Sequence, residues 1–233
     1  MIKKNMDNDI KNIYWKNLPL LDKLLNKILL ENRERILNIF FNEINYNDEI
    51  SLLDIGTTAN IDKNHNLILQ KTLKNKNIVC LSNQDCTGLK NLYPNVKNFI
   101  LGDGCNNQLD DNTYDIIYSN ATIEHVGSYK NQKLFISECV RVAKKNIFIT
   151  TPNRYFFLDF HTKIPFIHFL PKKIHRKILS LLGYDFFSVE ENLNLLSKKN
   201  LIDLCQMLKI KRYKIISYKV FFFTSNLILI IQK

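Results

Sequence analysis

Five short apolar runs, each parted from the next by helical or turn-rich sequence, constrain this chain more than any other feature. They are Ile50–Ile55, Asn77–Leu81, Val96–Leu101, Tyr114–Ser119 and Asn146–Thr151. Between the last two, Lys130–Val142 sets Leu134, Phe135, Glu138, Cys139 and Val142 at helical spacing. Apolar runs that alternate with crossover-length segments build a mostly parallel sheet, because parallel neighbours need long connections. The end of the chain breaks that rhythm. Tyr213–Phe223 and Asn226–Ile231 are β-rich and only Thr224-Ser225 separates them, so they must pair antiparallel. The expected architecture is α/β: seven strands, mostly parallel, closed by a C-terminal antiparallel hairpin, with helices on both faces.

Asn17-Leu-Pro-Leu-Leu opens a helix, with Asn17 as cap and Pro19 in the first turn. Leu21, Leu24, Leu25, Ile28, Leu29, Ile36, Leu37 and Phe40 keep a helical period, so residues 1–47 read as an N-terminal helical extension. Residues 152–200 hold three of the five prolines and the aromatics Tyr155, Phe156, Phe157, Phe160, Phe166 and Phe169. That segment is too long for a simple crossover and too apolar for a disordered linker. It reads as a helical insertion, or lid, over the sheet's carboxyl edge, followed by a final helix over Ser197–Leu208 that Ser197 caps. Residues 1–233 are expected to form one domain.

Composition narrows the class. At 233 residues the chain can bury a full core, and no stretch reaches the roughly 20 apolar residues that span a bilayer. The opening residues lack the apolar core of a secretory signal, so a cytoplasmic location is expected. The five cysteines never approach a C-x-x-C spacing, which argues against a zinc site or a disulfide framework, and no metal ligands are assigned. The formal charge of +11 invites a nucleic-acid reading. Lysine is spread along a chain that is equally rich in Asn and Ile, however, so a solvated basic surface accounts for it and no nucleic-acid partner is expected.

The chemistry-bearing segments follow the apolar runs in order. Leu53-Asp54-Ile55-Gly56-Thr57-Thr58 ends the first, Leu81-Ser-Asn-Gln-Asp85 the second, and Leu101-Gly-Asp-Gly104 the third. The fourth continues from Asp115 through Asn120-Ala-Thr-Ile-Glu-His-Val-Gly127, and the fifth ends in Thr150-Thr-Pro-Asn-Arg-Tyr155. A carboxylate at the first strand end would repel a phosphate and suits a cationic ligand. Over about Glu49–Arg154 this set resembles the class I S-adenosylmethionine-dependent methyltransferases, specifically the type 11 methyltransferase-domain group, whose fold is Rossmann-like.

The resemblance implies S-adenosylmethionine as cofactor, with a role for each segment. Gly56 lets the backbone turn under the cofactor's amino-acid end, and Asp54 faces its ammonium or orients the turn. Asp103 accepts from the adenine amine, and Gly104 allows the ring to approach. Ser119 and Asn120 end the fourth strand below the transferable methyl. Asp115, at the start of that strand, is expected to order backbone amides instead of binding ligand. Two departures stand out. The first loop reads Gly-Thr-Thr-Ala-Asn and lacks the usual further glycines, leaving the Thr57 and Thr58 hydroxyls to meet the cofactor carboxylate. Ser82 occupies the place of the ribose-binding acid, with Asp85 three residues later as the nearest substitute.

His125 follows the fourth strand and His161 lies in the insertion, so both are candidates for a catalytic base; for His125 a hydrogen-bonding role is an equal alternative. His168 and His175 read as surface or packing residues. Asn153, Arg154 and Tyr155 are the candidate acceptor-binding residues. The function expected is methyl transfer to a small-molecule or glycan-type acceptor. An RNA methyltransferase and a non-catalytic cofactor-binding regulator are the rivals, while a nicotinamide dehydrogenase fails for want of G-x-G-x-x-G after the first strand. Alternating aromatic and basic residues over Phe156–Lys177 add transient membrane-surface contact as an expectation. The oligomeric state is left open.

Overall fold

The computed structural model describes residues 19–62, 64–220 and 222–233, with side chains from residue 26 onward. The expected cap Asn17 and the side chains of Leu21, Leu24 and Leu25 lie outside the described residues. Helix α1 spans Pro19–Glu43. The strands are β1 Leu52–Ile55, β2 Ile78–Ser82, β3 Val96–Leu101, β4 Tyr114–Asn120, β5 Ala143–Pro152, β6 Tyr213–Val220 and β7 Phe223–Gln232. The remaining helices are α2 Leu67–Lys71, α3 Tyr129–Val142, α4 Lys172–Leu181 and α5 Lys198–Met207.

The seven strands form one sheet in the order β3-β2-β1-β4-β5-β7-β6. The first five are parallel, and β7 pairs antiparallel with both β5 and β6. The expected α/β, Rossmann-like sheet with its closing hairpin is what the chain builds. The order reverses between β1 and β4, and ligands of open α/β sheets bind beyond the carboxyl ends of strands at such a reversal.

Alternation along each strand divides the core into two. Leu53, Ile55, Ile117, Ile147 and Ile149 pack against Phe135, Ile136 and Cys139 of α3 and Leu201 and Leu204 of α5. Leu52, Ile78, Ile116 and Phe148 point the other way, onto Ile36, Leu37 and Phe40 of α1. Each such side chain contributes about 1.5–3 kcal/mol on burial, so helices on both faces follow from strands that are apolar on both sides.

Asp115 locks the base of this sheet. Its carboxylate accepts from the Ser51 amide (3.2 Å) and hydroxyl (2.6 Å), and Lys145 lies 3.0 Å away. The Ser51 hydrogen bond is the main reason its pKa falls to about 2. It orders the start of β1, as expected, far from the carboxyl edge.

Two expectations change. The hairpin reverses between Val220 and Phe223 instead of at Thr224-Ser225. The register shifts between Tyr218 and Lys219, and the buried Ser225 hydroxyl donates to the Tyr218 carbonyl (3.4 Å). That side-chain bond lets two turn-type residues remain inside a strand. The segment after β5 is also less helical than expected. Its one α-helix is α4; 3₁₀ turns at Ile167–Phe169 and Phe186–Ser188 and irregular chain make up much of the rest. Lys163 and Phe166 are left-handed (φ 57° and 63°) on either side of Pro165, which breaks any longer helix. The segment has its own apolar cluster of Leu179, Tyr184, Phe187, Leu193 and Leu195.

Candidate active site

The first strand ends in a turn that only glycine fits. Gly56 has φ +97° and its amide donates to the Leu81 carbonyl (2.8 Å). A β-carbon there would come within 2.0 Å of the Thr122 hydroxyl. Conformation and close approach thus both require glycine. Thr122 in turn donates to the Ile55 carbonyl (3.3 Å), which joins the loop after β4 to the loop after β1.

Asp54 is buried beneath this turn, with the Thr57 hydroxyl donating to its carboxylate at 2.6 Å. Burial raises its pKa to about 6, because the charged form has lost water and gained a single hydroxyl. The Thr57 hydroxyl is therefore directed at Asp54. Thr58 exchanges backbone hydrogen bonds with the Asn66 side chain (3.3 and 2.9 Å), and its hydroxyl accepts from the Asn60 amide (3.4 Å).

Asp85, the residue expected at the ribose, is exposed and accepts from the Thr87 amide (3.0 Å) and hydroxyl (2.7 Å). It starts the 3₁₀ turn Thr87–Asn91. Gln84 instead bridges back, accepting from the Ala59 amide at 3.2 Å, while the buried Ser82 hydroxyl accepts from the Gln84 amide at 3.1 Å. After β3, the exposed Asp103 accepts from the Cys105 amide (2.8 Å). A β-carbon on Gly104 would sit 2.9 Å from the Phe135 ring and 3.1 Å from Ile55, so glycine lets this loop lie on the core. Ser119 is buried and donates to the Ile55 carbonyl (2.9 Å), and Asn120 accepts from the Thr150 hydroxyl (2.6 Å).

Beyond Asn120 the chain passes through Ala121 in the left-handed region (φ 52°) and enters the 3₁₀ turn Ile123–His125. This turn delivers the main titratable cluster. The Glu124 side chain is fully buried (0 % exposed); Oε2 accepts from the Thr151 hydroxyl at 3.0 Å and Oε1 has no partner among the described residues. Oε1 lies 4.0 Å from Nε2 of both His125 and His161, and the two Nε2 atoms are 3.1 Å apart. His125 Nδ1 is 2.6 Å from the Asn192 carbonyl, and His161 Nδ1 is 3.1 Å from the Asp159 carboxylate. Both Nδ1 atoms therefore carry hydrogen, an assignment made from their partners.

Burial raises the Glu124 pKa to about 7, against the pull of His161. Burial, and then His161, push His125 down. Its side chain is 35 % exposed, so the shift reflects the inward Nε2 edge more than the whole ring. Burial opposes the His161 imidazolium, but the Asp159 hydrogen bond and charge outweigh it and the pKa rises. Asp159 is likewise buried, yet His161 and Thr162 hold its carboxyl far below the ordinary range.

The structure thus brings His125 and His161 together, and adds Glu124, Thr151 and Asp159 to them. Glu124 adjoins His125 and Asp159 precedes His161 by two; that adjacency of carboxylate and imidazole was the available signal. The expected acceptor residues are placed differently. Asn153 donates to the Thr224 carbonyl (2.9 Å), and Arg154 donates to the His168 and Leu170 carbonyls (3.2 and 2.7 Å). Asn153 fastens the insertion to β7, and Arg154 ties together two parts of the insertion itself. Tyr155 is exposed against Phe169. His168 and His175 are buried packing residues.

A seven-stranded α/β sheet with these loops at its switch point defines the class I methyltransferase fold. Residues 55–149 match the family described as a methyltransferase domain, Methyltransf_11. Similar solved structures include an S-adenosylmethionine-dependent methyltransferase from Methanosarcina mazei (15 % identity, TM-score 0.54, 84 % of this chain and 96 % of that one). Another, from Archaeoglobus fulgidus, gives 12 % identity, a TM-score of 0.56 and coverage of 87 % and 94 %. The magnesium protoporphyrin IX methyltransferase of Synechocystis PCC 6803, with S-adenosylhomocysteine bound, gives 13 %, 0.50, and 87 % and 81 %. No curated protein matches the chain. Residues 55–149 therefore resemble a methyltransferase domain, and the chain shares the fold of S-adenosylmethionine-dependent methyltransferases.

Proposed function

We propose that this enzyme methylates a small-molecule or glycan-type acceptor held at the Glu124–His125–His161 cluster. The observation that carries the reading is the direct link from Gly56 through Thr122 to Glu124 and His125, which sets the cluster beside the turn that this reading gives to the cofactor. In this reading Asp54 meets the cofactor ammonium. Asp54 is a buried carboxylate whose charge one hydroxyl supports poorly, and a cation would complete it. Gly56, Thr57 and Thr58 shape the turn around the amino-acid end, Ser119 and Asn120 lie below the methyl, and Asp103 and Gly104 frame the adenine. Asp85 is already occupied by Thr87, so the ribose falls to Gln84 and Ser82 as well.

Methyl transfer is an in-line displacement, and its main demand is to bring the acceptor atom about 3 Å from the methyl carbon. His125 and His161 act on the acceptor at that position. An apolar hollow between α1 and the insertion, lined by Ile28, Leu29, Phe156, Phe157, Phe160 and Val220, adjoins His161 in sequence and suits an acceptor with an apolar part. Asn153, Arg154 and Tyr155 form the root of the insertion on which that hollow depends. The free cysteines, four of them buried, fit a reducing, cytoplasmic setting.

Calorimetry and thermal shift with S-adenosylmethionine and S-adenosylhomocysteine test the reading. At a hundredfold excess over Kd the ligand should stabilise the fold by about 2.7 kcal/mol. His161→Ala should then abolish turnover while cofactor affinity stays within a few fold. Failure of both ligands to bind would leave a non-catalytic regulator, and full turnover in His161→Ala would remove the acceptor from this cluster.

A further inference from the structure

Two imidazole nitrogens 3.1 Å apart, each with its other nitrogen already donating, turn two lone pairs toward each other. Something positive must lie between them. A proton shared along the nitrogen–nitrogen line is one occupant, but it leaves the fully buried Glu124 Oε1 without a partner, 4.0 Å from either nitrogen. A buried carboxylate oxygen in that condition lacks the partner that burial demands.

A metal ion answers all three atoms at once. The circle through points 3.1, 4.0 and 4.0 Å apart has a radius of about 2.2 Å. Zinc lies about 2.0–2.2 Å from imidazole nitrogen and carboxylate oxygen, so one ion reaches all three donors with little movement. The supporting groups are in place too. The Asn192 carbonyl orients His125, the Asp159 carboxylate orients His161, and the Thr151 hydroxyl holds the other Glu124 oxygen. Carboxylate–histidine–metal relays use such partners to fix the tautomer and strengthen the ligand.

We infer that Glu124 Oε1, His125 Nε2 and His161 Nε2 bind a single divalent transition-metal ion, zinc foremost. Two histidines and one carboxylate are the donor set of zinc hydrolases and of non-haem iron(II) sites. Three protein ligands leave a coordination position for water or an acceptor oxygen, and the exposed third of His125 provides the way in. The site is independent of the acceptor's identity. With an ion bound, the two imidazoles serve as ligands instead of bases.

The test is metal stoichiometry on the full chain. Protein stripped with chelator and dialysed against zinc should retain one equivalent by elemental analysis, and cobalt(II) in its place should give the visible absorption of a low-coordinate site. Glu124→Gln and His161→Ala should lose the bound equivalent and the cobalt spectrum. Asp159→Asn should keep the ligands and weaken affinity about 10–100-fold. His125→Ala, on the partly exposed turn, supplies a second ligand variant if the buried changes impair folding. Retention of well under one equivalent by the parent, or equal retention by the parent and a folded ligand variant, would overturn the site. The first result would leave a shared proton as its occupant, and the second a surface site elsewhere. Neither bears on cofactor binding, which calorimetry measures separately.

Discussion

In the proposed reading, the buried Asp54 carboxylate couples cofactor binding to pH. Burial raises its pKa from 3.8 to about 6, so between these values the folded protein holds a proton that the unfolded chain has released. That contribution to stability is complete below the unfolded pKa and is lost as pH rises through about 6. An ammonium placed beside Asp54 favours the carboxylate and expels the proton. Cofactor affinity should therefore rise up to about tenfold per unit below pH 6 and level off above it, with proton release on binding. Calorimetry in buffers of different ionisation enthalpy measures the released proton. A flat profile, or the same slope in Asp54→Asn, would show that Asp54 does not meet the ammonium.

At the scale of elements, caps and side-chain bonds decide where the chain turns. Ser197 accepts from the Asn200 amide (3.2 Å), and Asn200 Oδ1 accepts from the Ser197 amide (3.0 Å), closing a capping box on α5. Ser197→Ala should cost about 1 kcal/mol, read as a lowered midpoint in urea with unchanged slope; no change would mean that packing of Leu201 and Leu204 sets the helix start. This cap was legible because a cap is local: Ser197 precedes an apolar period. Val96–Leu101 was legible for the same reason, being bounded by turn residues on both sides. The hairpin was misplaced because Thr224-Ser225 has turn chemistry, and only tertiary contact with Tyr218 reveals that those groups are satisfied within the strand. The histidine pair was legible as two candidates and not as a pair. His125 and His161 stand 36 residues apart, and what joins their rings is the path of the insertion, fixed by the left-handed Lys163 and Phe166 and the anchor of Asn153.

Across the whole molecule, the proposed reading gives cofactor binding to the sheet and half of the acceptor cluster to the segment after β5. No described helix is long and apolar enough to cross a membrane. The division of labour is visible in the packing: two apolar layers hold the sheet, and a third, around Leu179, Phe187 and Leu195, holds the insertion. That third layer has a consequence for motion. A segment with its own small core, fastened by hydrogen bonds at Asn153 and Asn194, can open as a unit while the sheet stays folded. Amide exchange should show residues of the insertion exchanging together at a lower free energy than β1, β4 and β5, and bound S-adenosylhomocysteine should slow the sheet loops more than the insertion. Uniform protection would mean a single cooperative block. If the unit opens alone, His161 leaves and rejoins Glu124 on each cycle, and the pace of that exchange is set by the stability of the small apolar layer around Leu179 and Phe187.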